Sequence, residues 1–413
     1  MTAPTTIEHV RKISVAEESA ASLPMTRRRV LHVIGGAGAM VAVAAVGGGA
    51  LRAVDQGVFA SGDGPAYAAW NQAPGTSGDG AINLVRAAVL AANAHDAQPW
   101  LFKVGADRID LFSDPLRNLG SVDPFGRELM ISLGCALENL TLAAGPNGFA
   151  ATPALFPDPA DPTHIARLDL TAIPPTQSAL FDAIPNRHTN RAAYHDTPVT
   201  AETLAAMASL NDAADVAVIW LDSPELKQSF NTVTVAATEA FIADTEQSVE
   251  DFAWWRGDWE ELQRHKDGIT IDAAGLPPLT RALGKLMPDI SRATSDSTWL
   301  SNTKNTQLSN SAAFGIIVAL DHRSDAQRLQ TGRLYQRLHL WATGNRLAMQ
   351  PLNQSVERRD RELQRNLEPV TGRPLDALMP DPKWQAVMPF RIGYPAETAL
   401  ASPRRPAADV VRA

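Results

Sequence analysis

The chain is similar to itself when it is shifted by 198 positions. Between residues 134 and 153 this shift aligns seven identical residues over twenty gap-free positions, among them Gly134 with Gly332 and Pro153 with Pro351. Both copies have the pattern of a long apolar helix that ends in a turn before a proline. The sequence therefore predicts an ancient duplication in which each half contributes one long core helix. The alternative is a chance match between two helices that are both rich in leucine and alanine.

The composition is that of a globular protein. Of the 413 residues, 45% are hydrophobic and 20% are charged, so the chain can form two domains or one large fused unit. The net charge of −8 and the lack of a basic stripe with interleaved aromatic residues argue against a nucleic-acid-binding surface. The single cysteine, Cys135, excludes an internal disulfide and a cysteine-based metal site. We predict no bound metal.

The N-terminus has the features of a leader. Arginines 27–29 precede an apolar segment, rich in glycine and alanine, that runs from Val33 to Leu51. Residues 1–60 therefore resemble a twin-arginine export signal, which would bring the chain to the Tat translocase and out of the cytoplasm. A retained membrane anchor is the runner-up, and a cytoplasmic protein is the remaining alternative. Met25, close to the arginines, is a second candidate for the start of translation.

The rest of the chain divides into a linker and two folded parts. Residues 61–80 are rich in Gly, Ala, Ser, Pro and Asp and are predicted to be a linker. The first half is expected over residues 81–180, with a long helix at about 124–144. The second half is expected over residues 181–411, with a buried strand at 314–320. We expect the fold class α+β, with each half a sheet flanked by helices and the two halves joined as a pseudo-dimer inside one chain.

A tryptophan-rich segment interrupts the second half at about residues 250–290. It holds Trp254, Trp255 and Trp259 among charged residues, which predicts an amphipathic helix that covers another part of the protein. A lid over a pocket is one interpretation. A helix that completes the core is the other.

A short segment between a predicted helix and a predicted strand is the first candidate for a binding site. Residues 93–100 read Asn-Ala-His-Asp-Ala-Gln-Pro-Trp, so small residues lie among hydrogen-bonding side chains. Such a backbone can approach a planar polar ligand closely, and we expect Asn93, Ala94 and Gln98 to line it. An ordinary turn that buries Trp100 is the alternative.

A run of alternating polar residues is the second candidate. Arg187, Thr189 and Arg191 are spaced so that an extended backbone would point all three side chains the same way. Because guanidinium groups bind phosphate bidentately, this pattern favours an anion site. A solvated surface turn is the other interpretation of the same pattern.

These segments resemble motifs of the FMN-dependent nitroreductases. Residues 93–100 are similar to the family's P-S-x-x-N-x-Q-P-W segment, and residues 187–191 to its R-x-S-x-[KR] motif. Two further matches follow in the family's order: residues 351–354, similar to its P-x-E-G turn, and the late Arg404-Arg405 after Gly-Tyr-Pro. The first half lacks its own copies of the arginine motifs. The whole is therefore similar to the fused, Acg-type branch of the family, with one site per monomeric chain.

The resemblance implies an FMN site built from both halves. The FMN-binding residues that it implies are Arg187, Thr189, Arg191, Arg404 and Arg405 of the second half, Asn93, Ala94 and Gln98 of the first half, and Pro351, Asn353 and Gln354 at the turn near flavin N5. No catalytic side chain is implied, because the cofactor carries the chemistry. The backbone N–H groups of Asn353 and Gln354 would stabilise negative charge on N5. Here Asn and Gln stand where the family has Glu and Gly, and Asp96 replaces the usual Asn.

The activity that follows from this resemblance is a two-electron reduction. NAD(P)H would be the reductant, and a small nitroaromatic or quinone-like molecule would be the electron acceptor. The alternative is a protein that binds or sequesters flavin and reduces little, because the tryptophan-rich segment could cover the face of the flavin that nicotinamide must reach.

Overall fold

The computed structural model describes residues 48–72 and 80–412. The arginines of the predicted leader and most of its apolar segment lie outside the described residues, so export stays a prediction. The α-helices are α1 (Gly48–Asp55), α2 (Ala68–Asn71), α3 (Ile82–Ala88), α4 (Arg127–Ala144), α5 (Ala179–Asp182), α6 (Ala201–Ala208), α7 (Pro224–Ala243), α8 (Thr245–Phe252), α9 (Trp259–His265), α10 (Pro278–Leu286), α11 (Arg292–Asn302), α12 (Asp325–Gly344), α13 (Gln354–Arg365), α14 (Gly372–Asp376) and α15 (Ala407–Val410). The strands are β1 (Trp100–Val104), β2 (Arg108–Ser113), β3 (Phe149–Leu155), β4 (His164–Ala172), β5 (Val216–Leu221), β6 (Trp255–Arg256), β7 (Ile269–Thr270), β8 (Ala313–Ala319), β9 (Ala348–Pro351), β10 (Gln385–Gly393) and β11 (Val411–Arg412).

Two larger sheets share one strand order. The first has the order β11-β1-β2-β4-β3 and the second β5-β8-β10-β9. All neighbouring strands in them are antiparallel except β11, which runs parallel to β1. When β11 is set aside, each sheet has four strands in the same spatial order. In each sheet a long helix connects the second strand along the chain to the third: α4 connects β2 to β3, and α12 connects β8 to β9. The predicted α+β class is confirmed, and the shared order supports the predicted duplication.

The long helices α4 and α12 cross where two glycines face each other. A Cβ atom on Gly134 would lie 2.1 Å from the Leu329 carbonyl oxygen, and one on Gly332 would lie 2.0 Å from that of Ile131. The backbones therefore approach too closely for any other residue type. The contact is reciprocal, because Ile131 and Leu329 are separated by the same 198 positions as the two glycines. Reciprocal contacts of this kind are typical of a twofold axis.

The main core contains side chains of both sheets and of the helix pair α4–α12. Strand β8 is buried along its whole length, since one face packs in this core and the other packs under α7 and α13. Helix α4 is long and apolar enough to cross a membrane by length and composition, but 67% of its apolar window is buried inside the protein, as a core helix would be.

Part of the predicted linker is folded. Residues 65–71 form a short 3-10 turn and α2, and Ala66 and Tyr67 are buried with Leu262 in a small core. The composition did not indicate this folded part. Two apolar residues are enough to anchor the segment to the core, and they scarcely change its polar composition. The predicted division at residue 180 also differs from the structure, since β11 at the C-terminus joins the first sheet.

The tryptophan-rich segment does not form the predicted single amphipathic helix. Helix α8 ends at Phe252, Trp255 lies in β6 and Trp259 begins α9. The non-helical residues 257–258 and 266–268 break the helical pattern, and the segment folds into the end of α8, the helices α9 and α10 and the small sheet β6–β7.

Candidate functional site

A cavity of about 270 Å³ lies among elements of both halves. Its walls are formed by residues 92–95, by α4 and α12, by the turn at residues 350–354 and by the tryptophan-rich segment with α11. Of the three tryptophans predicted for a lid, Trp255 lines the cavity, and Trp299 of α11 joins it there.

Seven of the predicted FMN-binding residues line this cavity, namely Asn93, Ala94, Thr189, Arg191, Pro351, Asn353 and Gln354. The other four, Gln98, Arg187, Arg404 and Arg405, do not line it and are buried in a polar network. The structure thus brings together residues that are more than 300 positions apart in the chain.

The segment that starts at Asn93 is a tight turn with unusual backbone angles. His95, Asp96 and Gln98 have φ values of 51°, 54° and 52°, in the left-handed region that side chains disfavour. The Asn93 side chain holds the turn: its Oδ1 accepts from the Gln98 N–H at 2.8 Å and its Nδ2 donates to Asp96 Oδ1 at 3.1 Å. Strained backbone of this kind clusters at functional sites.

Arg187 is a buried cation without a carboxylate partner among the described residues. Its Nη2 donates to the Leu90 carbonyl at 3.2 Å, and its Nη1 lies 3.4 Å from His339 Nδ1. The side chain is 2% exposed and its Nε has no hydrogen-bond partner in the described part of the chain. Burial, together with the neighbouring Arg404, lowers the pKa of Arg187 to about 10.

Arg404 is equally buried and pairs with Asp96 through Nη1. Its guanidinium also donates to the Ala91 carbonyl at 3.1 Å and lies 5.3 Å from the centre of the Trp70 ring. Burial raises the pKa of Asp96 to about 6, although Arg404 opposes this shift. The second carboxylate oxygen of Asp96 has no hydrogen-bond partner within the described residues.

Of these two arginines and the nearby Arg191, Arg404 is the one that forms an ion pair with a carboxylate among the described residues, and that carboxylate is Asp96. Arg191 is partly buried, lines the cavity and donates to the Ala273 carbonyl at 3.1 Å. The charge of Asp96 raises the pKa of Arg187, Arg191 and Arg404, against the larger effect of burial. Buried charges are costly unless they are paired. Excess positive charge of this kind is typical of residues that bind an anion. We call Arg187, Arg191 and Arg404 the arginine cluster.

Gln98 and Arg405 connect chain segments and do not face the cavity. Gln98 Oε1 accepts from the Arg405 N–H at 2.7 Å, and its Nε2 donates to the Lys266 carbonyl at 2.8 Å. The Arg405 guanidinium donates to the Gln98 and Trp100 carbonyls. Both side chains are engaged with backbone groups and, like Arg187 and Arg404, do not line the cavity, so their part in FMN binding stays a prediction.

The turn at residues 351–354 presents the N-terminus of α13 to the cavity. Asn353 precedes the helix and Gln354 begins it, so their N–H groups lie where a helix has no acceptor of its own. Asn353 Oδ1 and Gln354 Oε1 also have no hydrogen-bond partner in the described part of the chain. Backbone donors and the helix dipole together favour negative charge at this wall.

Ionisable residues that the sequence analysis did not single out also line the cavity. Glu128 of α4, Glu357 of α13 and Asp251 of α8 are among them. His95 Nε2 lies 2.7 Å from Asp251 Oδ1. Burial alone would lower the pKa of His95, but the hydrogen bond and charge of Asp251 outweigh it and raise that pKa. Burial and the neighbouring Glu128 raise the pKa of Glu357 well above its usual range.

Sequence relatives carry the names of nitroreductases. No protein-family model matches the chain. The "Putative NAD(P)H nitroreductase Rv3131" of Mycobacterium tuberculosis (strain ATCC 25618 / H37Rv) is 41% identical over 124 residues, which are 30% of this chain and 36% of the relative. The acg protein of that strain, whose name is of the same kind, is 25% identical over 195 residues, 46% of this chain and 58% of the relative. These matches span about a third to a little over half of the relatives' length.

A longer match reaches the "Uncharacterized protein Rv3127" of the same strain, which is 25% identical over 342 residues, 80% of this chain and 92% of the relative. Among solved structures, the FMN-dependent nitroreductase NfnB from Mycobacterium smegmatis, in complex with NADPH, aligns with a TM-score of 0.37 and 15% identity over 57% of this chain and 97% of that one. A nitroreductase with bound FMN from Desulfitobacterium hafniense DCB-2 aligns with a TM-score of 0.34 and 13% identity over 58% of this chain and 99% of that one. The chain is therefore similar in sequence, over part of its length, to proteins named as NAD(P)H nitroreductases.

Proposed function

We propose that the chain is an FMN-binding oxidoreductase of the nitroreductase type, in which NAD(P)H supports the two-electron reduction of nitroaromatic or quinone-like molecules. One observation supports this proposal above the others: of three buried or partly buried arginines, Arg187, Arg191 and Arg404, one alone forms an ion pair with a carboxylate among the described residues, and Arg191 lines a cavity with largely apolar walls. A ligand with an anionic group and a planar ring satisfies both features. The names of the sequence relatives point the same way.

The residues of this chain fit FMN. Arg191 and Thr189, which line the cavity, would contact the part of the cofactor that lies there, and Arg187 and Arg404, which are buried and do not line it, would supply the positive charge that holds its phosphate. The N-terminus of α13 would stabilise negative charge beside it. When bound, FMN supplies the capacity to take up and pass on a hydride. The protein would position it and exclude water, with Ile131, Trp255 and Trp299 as apolar walls.

We further propose that the chain is a fused pair of nitroreductase-like halves with one site. The reciprocal contact of Gly134 and Gly332 and the shared strand order of the two sheets support the duplication. The arginine cluster comes from residues 187–404, whereas Asn93 and Ala94 belong to the other half. The proposal predicts one FMN per chain and a monomer in solution. Two FMN per chain would contradict it.

Flavin sequestration is a second candidate function, and a particular set of contacts favours it. The N-terminal segment fastens the tryptophan-rich segment in place: Lys285 Nζ donates to the Gly57 carbonyl and Ser61 Oγ, both at 3.0 Å, and pairs with Asp272 at 2.6 Å. The Arg52 guanidinium also donates to the carbonyl of Leu286 at 2.8 Å. A cover held in this way would slow the entry of a nicotinamide.

A spectrum and a turnover assay test both functions. The full chain is purified, loaded with FMN and desalted, and its visible spectrum is recorded. NADPH and NADH oxidation are then followed with a nitroaromatic or a quinone. A yellow protein that turns over supports the reductase, and a yellow protein inert to both nucleotides supports sequestration. A chain that takes up no FMN contradicts both.

Export is proposed from the leader alone. Cell fractionation of the wild-type chain and of a variant with Arg27→Lys and Arg28→Lys would test it. We expect the variant to accumulate in the cytoplasm, and equal distribution of both chains would contradict the twin-arginine route. An exported enzyme would meet little NAD(P)H, so another reductant would then have to serve it.

A further inference from the structure

A buried pair of carboxyl groups lines the cavity without a part in holding the cofactor. Glu128 of α4 and Glu357 of α13 are 2% and 6% exposed. Glu128 pairs with Arg127 at 3.3 Å, whereas Glu357 forms no salt bridge within the described part of the chain. A buried carboxyl group without a cationic partner favours its protonated form. A second carboxyl group in the same cavity wall acts in the same direction, so Glu357 is the member of the pair that favours carrying a proton.

A second feature of the same wall points to a ligand. Gln354 lies one turn before Glu357 on α13 and is 4% exposed. It lines the cavity, and its Oε1 has no hydrogen-bond partner among the described residues. Buried polar atoms are almost always satisfied. A molecule with its own polar atoms, placed between Gln354 and Glu357, would satisfy both side chains.

We propose that Glu357 is the proton donor to an oxygen atom of the electron acceptor, that Glu128 holds this proton in place, and that the His95–Asp251 pair replaces it from solvent. This inference rests on the proposed reductase function. It goes further by assigning a side chain that would contact the reacting atoms, and it favours acceptors such as quinones whose reduction forms O–H bonds.

The charged groups around Glu357 come from three other elements. Glu128 and Arg127 face it from α4, and Asp251 faces it from α8. His95, in the turn before β1, is held by Asp251 and also lies in the field of Glu128. The side chain of Asp251 is 23% exposed and that of His95 is 11% exposed. Ionisable groups therefore extend from the rim of the cavity to the buried pair.

The proposed step balances for a quinone. The acceptor would gain a hydride, which carries two electrons and which FMN would supply under the proposed function. It also gains the proton of Glu357, so the O–H bond of this carboxyl breaks and an O–H bond to the acceptor oxygen forms. The product is a hydroquinone. The negative charge left on the pair is neutralised by a proton that enters from water through Asp251 and His95.

Infrared spectroscopy tests the protonated carboxyl without any turnover. The full chain is compared with Glu357→Gln at neutral pH, and Glu368→Gln, an exposed glutamate paired with Arg373, is the matched control. We expect the wild-type spectrum to contain a protonated-carboxyl band that is lost in Glu357→Gln and kept in Glu368→Gln. A spectrum of Glu357→Gln that keeps the whole band would overturn the assignment.

A pair of acceptors separates proton donation from a structural role. Ferricyanide takes electrons without protons, whereas a quinone takes both. We expect Glu357→Gln to lower the rate of quinone reduction by about 10²-fold or more, and to leave FMN reduction by NADPH and the reduction of ferricyanide close to wild type. Equal losses with both acceptors, or none with the quinone, would overturn the proposal. A chain that binds no FMN would overturn it together with the proposed function.

Glu128→Gln is the second variant, in case Glu357→Gln does not fold. Removing the charge of Glu128 lowers the pKa of Glu357 toward its usual range, because this charge is one of the causes that raise it. The donor must be protonated, so quinone reduction falls as the pH rises through that pKa. We expect this fall to occur at lower pH in Glu128→Gln than in the wild type. An unchanged pH profile would overturn the role of the pair.

Discussion

Replacing Arg187 separates a ligand-binding arginine from a structural one. Methionine has a similar shape and no charge, so Arg187→Met removes the cation with little change in packing. A pKa of about 10, in a group that ordinarily titrates at 12.5, corresponds to a cost of roughly 3 kcal/mol for keeping the charged form in the fold. The variant also loses contacts to the Leu90 carbonyl and His339, worth about 1 kcal/mol each. We therefore expect the flavin-free chain to be no less stable than wild type.

Flavin binding should respond in the opposite direction. A charge-assisted hydrogen bond to phosphate contributes about 1.5–3 kcal/mol, so Arg187→Met should weaken FMN binding by roughly ten- to a hundredfold. Riboflavin, which has no phosphate, should bind both chains equally. The measurements are flavin fluorescence titrations and urea denaturation of the flavin-free chains.

A buried arginine outside the arginine cluster and the cavity wall provides the control. Arg328 is 2% exposed and pairs with Asp325 at 3.1 Å, so Arg328→Met should lower stability and leave the ratio of FMN to riboflavin affinity unchanged. The reasoning about Arg187 is refuted if its variant behaves like this control, with lower stability and an unaltered ratio.

Three further substitutions test other parts of the structure. Because burial raises the pKa of Asp96 to about 6, its ionised form destabilises the fold above that pH. In urea denaturation, Asp96→Asn should match wild type near pH 4 and be more stable by up to roughly 3 kcal/mol at pH 7. A difference in stability that does not depend on pH would contradict this. Gly134→Ala should cost at least about 1–3 kcal/mol because its Cβ would strike the α12 backbone, whereas Gly344→Ala, with nothing within 4 Å, should cost nothing measurable by thermal denaturation. Lys285→Met removes the contacts that fasten the tryptophan-rich segment and should speed FMN dissociation in stopped-flow fluorescence, while an unchanged rate would show that this segment does not limit exchange.

The parts of the fold that the sequence predicts well are those with a strong apolar pattern. The strand expected at 314–320 is β8 at Ala313–Ala319, and the helix expected at about 124–144 is α4 at Arg127–Ala144. Both elements are buried on most sides, so most of their residues are apolar, and this gives a pattern that can be recognised without knowing the distant contacts.

Helix α13 shows why other parts could not be predicted. Residues 356–362 read Val-Glu-Arg-Arg-Asp-Arg-Glu, a pattern typical of a solvated helix, yet Glu357, Asp360 and Arg361 are buried. Their charges are compensated from elsewhere in the chain: Arg127 binds Asp360 at 2.7 Å, and Asp244 binds Arg361 at 2.9 Å. Such pairs span more than a hundred positions, so a local pattern contains no information about them.

For a related reason, only part of the candidate site could be predicted from the sequence. The motifs indicated Arg187 and Arg404 as anion ligands, but the partner that Arg404 has in the structure, Asp96, stood in a different motif. The carboxyl pair Glu128–Glu357 had no motif at all. A single sequence shows which residue types are present, and the pairing of two distant residues depends on how their elements pack.

The meeting of Asp96 with Arg404 follows from one pair of strands. Strand β11 runs parallel to β1, with Val411 opposite Phe102. In a parallel pair the segments that precede the two strands lie side by side, and Asp96 and Arg404 stand six and seven residues before these partners. The same arrangement brings Gln98 against the Arg405 N–H at 2.7 Å. The C-terminal strand therefore completes the first sheet and also places Arg404 beside the turn that contains Asp96. The proposed anion site thus depends on this strand pairing.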